Sequence, residues 1–117
     1  MPWVNITAGK RLSAAEQEQV KAGLAKAMAE LMNKQESGLV VTFTEAYAYY
    51  RAGTIATDAA IVDCRWIGTF PAEVKRALTR ETAHLLAAAI AADPKKVTVV
   101  MSEIESQNWG RNAGDYS

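Results

Sequence analysis

Pro2-Trp3-Val4-Asn5-Ile6 and Ala60-Ile61-Val62-Asp63-Cys64 decide the fold of this chain. The second stretch stands 58 positions after the first and opens the same pattern again. Each reads as a strand, followed by an amphipathic helix, a polar break and a second strand rich in β-branched residues.

In the first half the strand Trp3 to Thr7 leads to a helix over about Ser13 to Asn33. Ser13-Ala14-Ala15-Glu16 has capping-box spacing, in which each side chain satisfies a free backbone N–H at the helix start. Val20, Leu24, Ala27, Met28 and Leu31 fall on one face. Lys34 to Gly38 is polar and reads as a loop, and Leu39 to Thr44 is the next strand. In the second half the helix runs over about Pro71 to Ala92, with proline in the first turn, where its missing N–H is harmless. Val74, Leu78, Leu85, Ala89 and Ile90 form its stripe, Asp93-Pro94 stops it, and Val97 to Met101 is the fourth strand.

The same shift carries Val20 onto Leu78, Ala27 onto Leu85, Met32 onto Ile90 and Phe43-Thr44-Glu45 onto Met101-Ser102-Glu103. The chain therefore reads as one α/β two-layer domain over residues 1–117, with repeat halves of about 1–58 and 59–117. Each half is a right-handed β-α-β unit with parallel strands. Two such units predict a four-stranded sheet with two helices on one face. Strands this apolar are normally covered on both sides, so the bare face predicts an oligomer.

Composition narrows the function. The 13 basic and 13 acidic residues cancel, so no basic excess is available for gathering phosphates, which argues against nucleic acid. A single cysteine excludes an internal disulfide, and one histidine with one cysteine argues against a metal site. No apolar run approaches the roughly 20 residues of a membrane helix, and the first residues lack the pattern of a signal peptide. These features predict a cytoplasmic protein without membrane contact.

Pro2 follows Met1 directly. Removal of Met1 would leave a rigid secondary amine able to titrate near neutral pH and to move protons without metal or cofactor. If Met1 stayed, the nitrogen would be an amide and no base.

A doubled β-α-β chain beginning with proline after methionine resembles the tautomerase superfamily, which includes 4-oxalocrotonate tautomerase, macrophage migration inhibitory factor, the 3-chloroacrylic acid dehalogenases and malonate semialdehyde decarboxylase. The resemblance spans essentially the whole chain. Pro2 stands where that family keeps its catalytic proline. Gly9-Lys10-Arg11-Leu12-Ser13 is similar to its turn before the first helix, and Gln107-Asn108-Trp109-Gly110 to its segment after the last strand. The resemblance implies a homotrimer. It also implies one proline site per chain, because Ala60 stands at the position equivalent to Pro2.

The resemblance further implies a small carboxylate substrate held by cations beside Pro2. Arg65, at the end of the third strand, is the first candidate, since a guanidinium suits a carboxylate bidentately. Arg11 in the helix-entry turn is the second, with Lys10 as its substitute. Trp109 is the candidate apolar wall, with Asn108 beside it. Arg51, after Tyr47, Tyr49 and Tyr50, either lines a pocket or belongs to an intersubunit hairpin. Glu45 and Glu103 are expected to pair with subunit neighbours, and Lys75, Arg76 and Arg80 to form the solvated side of the second helix.

Several positions depart from the family's patterns. Met28 stands where the cis-dehalogenase type has a histidine and Asn108 where it has a water-activating glutamate. Thr69 or Phe70 replaces its second arginine. The decarboxylase's paired arginines are absent around Arg65, and Val40 and Thr98 replace the strand arginine of the small tautomerases. Water addition thus lacks its usual activator, whereas proton transfer needs only Pro2. The expected activity is cofactor-independent enol–keto or 1,3-proton transfer on a 2-hydroxy-dienoate or enolpyruvate-type acid. The alternatives are a haloacrylate dehalogenase or hydratase, a malonate semialdehyde decarboxylase-like enzyme, and a non-catalytic trimeric binding protein.

Overall fold

The structure is a computed structural model and describes residues 2–111 and 113–114. Strand β1 (Pro2–Ala8) leads to helix α1 (Ala14–Met32) and strand β2 (Val40–Glu45). A short hairpin, β3 (Tyr50–Arg51) and β4 (Thr54–Ile55), joins this unit to β5 (Ala60–Ile67), α2 (Ala72–Ile90) and β6 (Val97–Ile104). The main sheet has the order β2-β1-β5-β6. Each outer strand runs parallel to the inner strand of its own half, and the two inner strands are antiparallel, from Pro2↔Trp66 to Ala8↔Ala60.

The repeat extends to the helix ends. Ser13 caps α1 and Pro71 stands at the same place before α2. Ser13 Oγ accepts from the Glu16 N–H at 3.1 Å, and Glu16 Oε1 accepts from the Ser13 N–H at 2.9 Å, completing the capping box. Asn33 and Ala91 close the two helices in the left-handed region, at φ 53° and 57°. Strands β5 and β6 run to Ile67 and Ile104, beyond the ends expected at Cys64 and Met101.

Alternation of side chains along each strand sorts the sheet into two faces. Val4, Ile6, Ala8, Val62, Cys64 and Trp66 point into the layer under the helices and are fully or almost fully buried. Val20, Leu24, Met28, Leu78, Leu86 and Ile90 descend onto them from the helices. Burial of such a side chain is worth about 1.5–3 kcal/mol, so the helices owe their stability to this layer more than to propensity. The helices approach closely where Gly23 faces Leu85: a Cβ at Gly23 would lie 2.3 Å from Leu85 Cδ1.

The opposite face is of mixed character. It is not a continuous apolar surface. Val40, Ile61 and Val100 are exposed there, but Asn5, Thr7, Thr42 and Thr44 share it. Thr42 Oγ1 accepts from Trp3 Nε1 at 2.9 Å and donates to Asn5 Oδ1 at 2.8 Å. The β-branched residues that made these strands look apolar are in part threonines, whose hydroxyls bond to one another's neighbours across the strands.

Candidate active site

Pro2 is fully buried and opens β1, an inner strand of the sheet. Its cross-strand partner is Trp66, and the β6 partner of Trp66 is Glu103. All three stand on the helix-facing side, so proline, indole and carboxylate form one row across three strands. Two strand spacings put Pro2 and Glu103 about 9.5 Å apart.

The indole in the middle of the row is fastened on the side away from Pro2. Trp66 Nε1 donates to Glu103 Oε2 at 3.3 Å. The same oxygen accepts from the Phe70 backbone N–H at 2.7 Å, and Oε1 accepts from Lys75 Nζ at 2.8 Å. Lys75, through its hydrogen bond, holds the Glu103 carboxyl below the usual range. This overturns the expectation that Glu103 pairs with a neighbouring subunit and that Lys75 is merely solvated: the pair is made within one chain. Phe70 meets Trp66 edge to face at 5.9 Å between centroids. Gly68, at φ 102°, turns the chain from β5 back toward α2 so that Phe70 can reach that position.

Lys34 is the cation that sequence reasoning missed. It lies two residues beyond α1, donates from Nζ to the Ile67 carbonyl at 3.2 Å and sits over the Phe70 ring at 5.7 Å. Ile67 follows the partner of Pro2 in β5, so this ammonium stands at the Pro2 end of the sheet. A lysine in a polar loop carries no periodic signal, and only closure of the fold brings it here.

Arg65 points to the other face. It is paired with Asp63, Nη2 to Oδ2 at 3.1 Å, and stacks over Trp3 at 5.3 Å. The hydrogen bond that the guanidinium donates to the Asp63 carboxylate raises its already high pKa. Trp109 is half-buried and Asn108 exposed, both just past β6 and at the Pro2 end of the sheet. Lys10 and Arg11 lie at the opposite end, beyond Ala8, and six strand steps separate that end from Pro2 by about 20 Å. There they line a cavity of about 460 Å³ with Ser13, Gln17 and Glu45. Arg51 is also at that end: its Nη2 donates to the Lys95 carbonyl at 3.0 Å, tying the exposed tyrosine hairpin to the turn before β6. A single chain thus gathers Pro2, Trp66, Phe70, Lys34 and the end of β6 at one end of the sheet, and places Lys10, Arg11 and Arg51 at the other. Cys64 is buried in the core and its thiol is pushed up to about 12 by desolvation, which makes it chemically inert.

No family model matches the chain, and no curated protein matches it. Solved structures do. The structure of Pt0534 inactivated by 2-oxo-3-pentynoate superposes at a TM-score of 0.85 with 20% identity, covering 96% of this chain and 93% of that one. MIF2 of Leishmania major superposes at 0.87 with 17% identity over 97% and 96% of the two chains. The chain has the fold of the tautomerase and MIF proteins. A fused 4-OT symmetric trimer agrees at 0.85, with 22% identity over 97% and 94%. In this tautomerase fold the row Pro2, Trp66, Glu103 crosses the antiparallel seam between the two β-α-β halves. Among the described residues no three of His, Cys, Asp or Glu come together as metal ligands, and no helix is long and apolar enough to cross a membrane.

Proposed function

We propose that this chain is a cofactor-independent cytoplasmic tautomerase in which Pro2, freed by removal of Met1, moves a proton between oxygen and carbon of a small carboxylic acid. The observation that carries this reading is the seat of Pro2: the first position of an inner strand, buried against an immobilised indole, with the Lys34 ammonium one residue further along β5. Burial and a neighbouring cation both disfavour the protonated amine, so each lowers its pKa toward neutrality.

In the proposed reaction the neutral amine takes the enol proton. The O–H electron pair becomes the carbonyl π bond, and the C=C pair takes the proton back from the prolinium at carbon. The amine is regenerated and no electrons are gained or lost. Lys34 would hold the substrate carboxylate by a charge-assisted hydrogen bond, and Trp66 and Phe70 would exclude water behind the base. Substrates of the 2-hydroxy-dienoate or enolpyruvate type fit this arrangement.

We further propose a trimer. Arg11 and Lys10, about 20 Å from Pro2 in their own chain, could reach a Pro2 site only from a second copy. The exposed Tyr47, Tyr50 and Ile55 of the hairpin and the uncovered sheet face are the surfaces such copies would bury. The similarity to fused 4-OT trimers supports this assembly.

The test is the mass of the N-terminal peptide after exposure to a 3-halopropiolate, read beside turnover of a dienol acid by the wild type and by Pro2→Ala. Loss of Met1, an adduct on Pro2 and an inactive, folded Pro2→Ala variant are expected. Full activity in Pro2→Ala would sink the proposal.

A further inference from the structure

We infer that Glu103 is a positioning residue for Pro2, acting through Trp66 and the turn from Gly68 to Pro71. This rests on the reading of Pro2 as the reactive amine. The carboxylate divides its work between its two oxygens. Oε2 receives the indole N–H and the Phe70 backbone N–H, and Oε1 receives Lys75. The first oxygen fixes the ring that stands beside Pro2 and the loop that brings Phe70 against that ring. The second is anchored by α2, so the whole group is braced from outside the sheet.

The other half of the repeat shows that this bracing is not required for a β-α-β unit to fold. Glu45 occupies the position equivalent to Glu103, but Ala8 stands for Trp66, Leu12 for Phe70 and Gln17 for Lys75. Among the described residues Glu45 makes no ion pair, and its surroundings open into the cavity that holds Lys10 and Arg11. The row of indole, carboxylate and ammonium exists only in the second half, whose strand β5 meets Pro2 at Trp66. A device present at one of two equivalent places, and at the one beside the terminal proline, serves that proline.

The geometry also dictates how the role can be separated from plain stability. In Glu103→Gln the amide oxygen can replace Oε2 and keep both N–H donors. The amide NH2 then faces the Lys75 ammonium, donor against donor. Adding Lys75→Met removes that conflict and leaves an uncharged but correctly placed acceptor.

The experiment compares wild type, Glu103→Ala, Glu103→Gln, and Glu103→Gln with Lys75→Met. It reads the indole N–H resonance of Trp66 (assigned by its loss in Trp66→Phe), the rate of Pro2 alkylation by 3-bromopropiolate, and the circular-dichroism melt. Glu103→Ala is expected to move the Trp66 N–H upfield and slow alkylation by about 10–100-fold, the usual consequence of misplacing a reacting group. Glu103→Gln alone is expected to be slowed, and the double variant to return close to the wild-type rate with the N–H still hydrogen-bonded. Should Glu103→Ala fail to fold, the comparison of the single and double glutamine variants decides. Equal alkylation rates across folded variants would overturn this inference alone. A wild type in which Pro2 is never alkylated would overturn the proposed function, and this inference with it.

Discussion

Replacing Gly23 by alanine sets two effects of opposite sign against each other. Gly23 lies inside α1, where alanine is favoured over glycine by about 1 kcal/mol. Its new Cβ would meet three atoms of one side chain: Leu85 Cδ1 at 2.3 Å, Cδ2 at 2.7 Å and Cγ at 3.0 Å. Rotating one methyl away does not help, because the branch carbon itself is too near. Either the isobutyl group or the helix must give by about 1 Å, and overpacking of that kind costs about 1–3 kcal/mol. The overlap wins, and Gly23→Ala should destabilise by about 1 kcal/mol. Leu85→Ala removes all three obstructing atoms. In that background the same substitution should stabilise by about 1 kcal/mol, giving a coupling of about 2 kcal/mol. Thermal melts of the four variants at one protein concentration measure it, with about 4 °C expected per kcal/mol for a chain of this size. If Gly23→Ala had the same effect, within about 0.5 kcal/mol, with and without Leu85, the helices would not meet as described.

Three further outcomes are expected. Thr82 is buried in α2 with its hydroxyl unpartnered, so Thr82→Val should raise stability by about 1 kcal/mol in a denaturant melt, and a loss would mean that the hydroxyl is satisfied. Lys34→Met should lower kcat/KM for a carboxylate substrate by about 10–100-fold, mostly through KM. It should also raise the pH midpoint of Pro2 alkylation, since a cation beside the amine is gone; an unmoved midpoint would count against Lys34 as the tuning cation. Glu103 is held below its ordinary pKa of 4.5 by Lys75, so the folded protein binds that proton less readily than the unfolded chain. Its stabilisation is therefore present above about pH 4.5 and lost as the pH falls through the lowered value. Glu16, lowered through the Ser13 backbone N–H, adds to the same acid-side loss. The drop in Tm between about pH 6 and about pH 3 should therefore be smaller in Glu103→Gln than in the wild type, and an equal drop would refute the assignment.

The architecture was legible because it rests on periodicity, and periodicity survives in a single sequence. The shift of Val20 onto Leu78 and of Met32 onto Ile90 places both helices, and the alternation through Val62 and Cys64 places β5. That alternation also contained a signal left unused: carried two residues on, it sends Trp66 inward and Arg65 outward, to the face where Asp63 meets it. Lys34 and Glu103 were not legible in the same way. Each acquires its neighbours through contacts more than 27 residues away in sequence, Lys34 with Ile67 and Glu103 with Lys75. No local pattern encodes such a meeting. Pro2 itself was readable only as a residue type at a terminus; its burial and its partner follow from the antiparallel seam.

That seam has a consequence for how the two halves could diverge. The pseudo-twofold at the sheet's centre sends the position equivalent to Pro2, Ala60, to the far end of β1, opposite Ala8. Under the proposed role of Pro2 as a terminal amine, a residue in mid-chain such as Ala60 has no such amine to offer, and its position is left with packing. Ala60 is wholly interior, and its end of the sheet holds an open cup lined by Lys10 and Arg11 where the Pro2 end holds a braced indole. Two ends related by this pseudosymmetry therefore carry different chemical characters within one sheet.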